Sequence, residues 1–159
     1  EVKMLSKDLT PDAVARLLDF ESLNDFNSFL QEVDYEGKQK LDQAYKFTVG
    51  EGVILKLALI LSRVGVEMSK VHSYSDAILG SFITKGWNDF HKLVEDDNQE
   101  LCCLIEDNQL ARIFLRSKDT GREYDVGAVK PVLLPTTRCE INVTRAIRPV
   151  IYSIQKMEK

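Results

Sequence analysis

The side chains of this chain with the most reactive potential are three cysteines, two histidines and a scatter of carboxylates, in 159 residues. Cys102 and Cys103 are adjacent, and sequence neighbours rarely bridge each other. An odd count with Cys139 suits a reducing compartment with free thiols. No Cys-x-x-Cys pair occurs, and His72 and His91 stand alone, so neither a zinc site nor any other metal site is expected. Cys139 has no activating partner near it in sequence, and all three thiols read as apolar, partly buried groups. Asp96-Asp97 lies in a polar run, where solvation is the default for a carboxylate pair. Gly50-Glu51-Gly52 lacks the further glycines and the Lys-Ser/Thr of a phosphate cradle, and reads as capping geometry. With no G-x-S-x-G and no H-E-x-x-H either, the chain is expected not to be an enzyme and to need no cofactor.

The elements around these residues come from periodicity. Thr10-Pro11-Asp12 has the form of a helix start, and Val14, Leu17 and Leu18 share one face. A second short helix is expected after Ser22 or Asn24, with Phe26, Phe29, Leu30 and Val33 inward. Two short helices joined by a few residues form a helix-turn-helix candidate. Residues 35–47 read as a small β-hairpin or extended loop carrying Lys38, Lys40 and Lys46. Thr48-Val49-Gly50-Glu51 is a capping box ahead of an apolar helix expected to reach about Val64, with Gly65 as its stop. That helix is apolar on more than half its circumference and belongs at the centre of the core. Further helices are expected over residues 67–82 and 87–94, then a loop at 95–98.

The chain then turns to β. Residues 101–105 and 110–115 flank Asp107-Asn108, a hairpin signal, and a polar turn at 117–121 leads to a strand at 123–126. Pro131 and Pro135 bracket an edge strand or extended connector. A last strand at 139–143 precedes a helix capped by Asn142 or Thr144, kinked or delayed by Pro149. The expected fold is α+β, with a helical half (residues 1–95) and antiparallel hairpins closed by a helix (96–159), as one continuous unit. No secretory signal is recognised, and the apolar run at 53–61, broken by Lys56, is far short of a membrane span. A cytoplasmic, membrane-free protein is expected.

Leu9-Thr10-Pro11-Asp12-Ala13-Val14-Ala15-Arg16-Leu17-Leu18, then Tyr45-Lys46-Phe47-Thr48-Val49-Gly50-Glu51, then Leu57-Ala58-Leu59-Ile60-Leu61-Ser62-Arg63-Val64-Gly65-Val66 give a recognisable order. Over residues 8–72 it resembles the winged helix-turn-helix module of mercury-resistance-regulator (MerR) type proteins. The resemblance implies a transcription regulator that binds double-stranded DNA as a dimer. A recognition helix would lie in the major groove, a basic wing on phosphates, and a C-terminal region would dimerise or sense an effector. Carried onto this chain, the DNA contacts fall on Asn24, Asn27 and Gln31, whose amides suit adenine edges, and on wing residues Lys38, Lys40 and Lys46. The chain departs from the pattern in its second helix, residues 23–33, which holds Asp25 and Glu32 and no Lys or Arg.

Charge bears on the same point. Net charge is −4, with −4 over residues 1–47, +1 over 48–94, −4 over 95–120 and +3 over 121–159. Phosphate neutralisation dominates DNA affinity, so an acidic helix points to a second reading. In it the architecture is kept, DNA binding is lost, and a protein partner is engaged instead. In either case a homodimer is expected, with Ile147, Val150, Ile151 and Ile154 as an apolar interface stripe. The same stripe would equally serve to dock its helix on the chain's own sheet.

Overall fold

The computed structural model describes residues 7–33, 46–96 and 98–157, apart from the Trp87 side chain. The fold is mixed α+β. It opens with β1 (Asp8–Leu9), α1 (Pro11–Leu17), α2 (Leu23–Glu32), β2 (Phe47–Thr48), α3 (Val49–Arg63), α4 (Met68–Thr84) and α5 (Trp87–Glu95). It closes with β3 (Gln99–Glu106), β4 (Gln109–Ser117), β5 (Glu123–Asp125), β6 (Arg138–Asn142) and α6 (Val143–Met157).

Each early helix starts where a hydroxyl takes an orphan backbone N–H. Thr10 accepts from Ala13 N at 3.2 Å, Ser22 from Asp25 N at 3.1 Å, and Thr48 from Glu51 N at 3.1 Å. α3 ends at Val64, and Gly65 takes the left-handed φ of +96° that a side chain would resist. Its Val53, Leu55, Leu57, Ala58 and Leu61 are wholly buried, so this helix lies at the centre of the core. It packs against both α4 and α6.

The four-stranded sheet has the order β5-β4-β3-β6, all neighbours antiparallel. The β3–β4 turn places Asp107 (φ 48°) and Asn108 (φ 62°) in the left-handed region, as a tight two-residue hairpin turn requires. Asn108 Oδ1 lies 3.0 Å from where a Cβ on Gly65 would stand, so the hairpin end abuts the end of α3. A register shift at Leu104 and Ile105 lets Leu110 face the helices while Arg112 faces solvent. The exposed turn at residues 117–122 closes with Gly121 N donating to Ser117 O, and a Cβ on Gly121 would meet nothing within 4 Å.

Helix α6 runs straight on from β6. Asn142 Oδ1 accepts from Arg145 N at 3.0 Å, and Pro149 lies inside the helix without delaying its start. Ile147, Val150, Ile151 and Ile154 are all buried in the chain's own core. This corrects the expected dimer interface: α3 and β3 cover the stripe, and burial by its own chain leaves nothing for a second copy to cover. The segment between Pro131 and Pro135 is a connector and carries no strand. No helix among the described residues is long and apolar enough to cross a membrane.

Candidate functional site

The short β1–β2 pairing, Asp8 opposite Thr48 and Leu9 opposite Phe47, ties the start of α1 to the start of α3. Apolar side chains of α1 and α2 join those of the central helix in one core cluster. Between them Asp19 takes a left-handed φ of 62°, and Phe20 N donates to Ala15 O at 2.9 Å, reversing the chain. Phe20 then packs on Phe26 and Phe29 at ring-centroid distances of 5.5 and 5.4 Å, and Phe26 on Phe47 at 5.6 Å. This aromatic cluster fixes which face of α2 looks outward.

With about 100° between successive residues, Phe26, Phe29 and Leu30 define the buried side of α2. Asn24, Ser28 and Gln31 then fall within about 60° of one another on the opposite side. All three are exposed. Asp25 and Glu32, also exposed, lie about 90° round on one flank. Asn27 lies on the other flank, half-buried, and its Oδ1 has no hydrogen-bond partner among the described residues. Thus Asn24 and Gln31 share the outward stripe, and Asn27 is only its margin. Ser28 completes the stripe. Sequence reading passed over it because serine carries little signal alone; its i+4 relation to Asn24 was the available clue.

Lys46 is exposed beside β2, whereas Lys38 and Lys40 lie outside the described residues. Over residues 7–33 and Lys46, the exposed carboxylates are Asp8, Asp12, Asp19, Glu21, Asp25 and Glu32, against Lys7, Arg16 and Lys46. The stripe itself is neutral, and among these described residues the exposed carboxylates outnumber the cations.

The densest polar constellation lies elsewhere, on the solvent side of the sheet. Arg112 bonds Glu123 at 2.6 Å and also Asp125; Arg116 bonds Glu123 at 2.7 Å and Glu140 at 2.8 Å. Both guanidiniums lie over the Phe114 ring, at 4.3 and 5.3 Å from its centroid. Arg112 holds Glu123, and Arg116 holds Glu140, below the usual carboxylate range. The pairing of β4 with β5 sets Arg112-x-Phe114-x-Arg116 opposite Glu123-x-Asp125. With its charges paired to one another, the cluster serves as a lid on Phe114.

Of the three free thiols, Cys102 and Cys103 are buried. Burial pushes the Cys102 thiol up to about 11 and Cys103 to about 12, so neither supplies a thiolate nucleophile near neutral pH. Cys139 is half-buried against the core. Among the described residues no cluster of three or more His, Cys, Asp or Glu side chains is placed to hold a metal ion. No protein-family model, curated protein or solved structure matches the chain.

Proposed function

We propose that this chain is a DNA-binding transcription regulator of the MerR-like kind, acting as a dimer and presenting α2 to the major groove. The observation that carries this reading is the outward stripe of Asn24, Ser28 and Gln31. Asn and Gln pair their amides with adenine, and Ser accepts or donates to any base edge, without needing a charge. The pair α1 and α2, bracketed by β1 and β2 and sharing a core with α3, together with the sequence resemblance over residues 8–72, supports the same reading. Electrostatic attraction must then come from outside α2, with Lys38, Lys40 and Lys46 as the nearest basic group in sequence.

A salt titration of binding to duplex DNA tests it. Asn24→Ala and Gln31→Ala are each expected to lose about 5- to 150-fold at a preferred site, with random duplex bound as before. Changing Lys38, Lys40 and Lys46 together to Ala is expected to weaken all duplexes equally and lower the salt slope by up to about three. A wild-type chain that binds no duplex at low salt ends the proposal. The flank of Asp25 and Glu32 favours a second reading in that event: a module whose α2 face binds a cationic protein surface.

A further inference from the structure

Helix α3 carries a charge in the middle of its apolar run. Lys56 stands between Leu55 and Leu57, both wholly buried, and is itself half-buried. A lysine so placed can lay its carbon stem along apolar surface, but its ammonium must reach water or an anion. Lys56 lines a groove between α1 and α6 with a volume of about 540 Å³, and Arg16, exposed on the last turn of α1, lines it too. Neither cation makes a hydrogen bond or an ion pair with any described residue, and Asp19 in the same lining is paired with neither. We propose that this groove binds a small organic monoanion: a carboxylate carried on an apolar chain or ring.

Three properties of the lining select that class. Its cations suit a carboxylate, since the guanidinium of Arg16 offers a flat fork of donors and Lys56 adds a point charge from α3. Apolar surface faces the same space: Leu17 is half-buried there and Met157 is 53% exposed. A bare inorganic anion would leave that surface wet, and a neutral hydrocarbon would leave both cations unanswered. The third property is the balance of charge. An adjoining groove of about 300 Å³ shares Ala13, Arg16 and Met157 with the first and adds Lys7 and Asp8. Across the two linings Lys7, Arg16 and Lys56 stand against Asp8 and Asp19, so a single negative charge completes the balance. Small-molecule sites generally combine an apolar lining with a few convergent polar groups in this way, in volumes of about 300–1,000 Å³. Helix α2 contributes no side chain to either lining, and the inference stands apart from DNA binding.

Calorimetric titration of the whole chain with octanoate tests it. Saturable binding is expected, with a dissociation constant between about 10 µM and 1 mM. Octanol, which lacks the charge, and octanedioate, which charges the apolar end, are each expected to bind at least about 10-fold more weakly. Lys56→Met keeps an apolar stem in place and Arg16→Gln keeps a polar one. Each is expected to weaken octanoate at least about 10-fold while the circular dichroism spectrum is unchanged, and Lys56→Arg to keep binding within about 3-fold. A chain that takes up no octanoate at about 5 mM overturns the inference. So does octanol binding as tightly as octanoate, or a constant that neither Lys56→Met nor Arg16→Gln moves. A chain that binds duplex DNA but no octanoate defeats this inference alone, and the converse result defeats the regulator reading alone.

Discussion

Phe114 is 1% exposed on the solvent side of a sheet whose other side holds the core, because two arginines lie across it. Arginine suits this duty: its flat guanidinium stacks on the ring while its fork holds carboxylates. The arrangement has a pH signature. Glu123 and Glu140 titrate lower in the folded chain than in the unfolded one, as does Asp107, whose carboxylate accepts from Thr137 and Thr136. Their contribution is therefore complete above the ordinary carboxylate range and is lost as pH falls through the lowered folded values. The urea midpoint is expected to hold from pH 7 to about 5 and to fall below about 4. Glu123→Gln should flatten that acid limb. Each pair is solvent-screened and contributes modestly, and an acid limb equally steep in Glu123→Gln would show that these carboxylates do not set it.

Among the elements, α3 shows what local chemistry decides. Thr48 caps it, Glu51 stands in its first turn, and Gly65 ends it. Thr48→Ala is expected to cost about 1 kcal/mol, as loss of an N-cap generally does, read as a lower urea midpoint with unchanged slope. Such signals are legible in sequence because they act over three or four residues. The caps of α1 and α2, the β3–β4 turn and the start of α6 were legible for the same reason. The covering of an amphipathic stripe was not. Ile147, Val150, Ile151 and Ile154 have the spacing of a helix with one apolar face, whatever lies against that face. The same blindness hid the Arg112–Phe114–Arg116 lid. Its alternation marks a strand with one polar side, while the carboxylates come from β5 and β6, the latter 24 residues beyond Arg116 at Glu140. Of the candidate site, the outward positions of Asn24 and Gln31 follow from helical period. The tie from Asp107 in the β3–β4 turn to Thr136 and Thr137 ahead of β6 is a long-range bond that no local pattern announces.

For the molecule as a whole, the helical half and the sheet share one core. The cluster runs from Leu9 and Val14 through α3 to Leu101, Ile141 and Ile154. Polar ties reinforce it. Thr144, wholly buried, accepts from Leu101 N at 2.9 Å, and Arg148 donates twice to Val94 O at 3.1 and 2.8 Å. Thr144→Val keeps the shape and leaves the Leu101 N–H buried without its acceptor, at an expected cost of about 1–3 kcal/mol. Since the core is continuous, that loss should reach both halves together. Helix loss followed by circular dichroism and exchange of the β3 and β4 amides should give one coincident urea transition. Two separated transitions would show the halves to be independent domains.

The open turn at residues 117–122 has a practical consequence. Asp119, Thr120 and Gly121 are exposed, and a Cβ on Gly121 would meet nothing within 4 Å. It lies outside α2, at the far end of the β4–β5 hairpin. Chain added between Asp119 and Thr120 would extend into solvent from a short connection between two paired strands, where added length is cheapest. A fluorophore or a tethering peptide placed there would give the molecule a handle away from α2 and from the shared core.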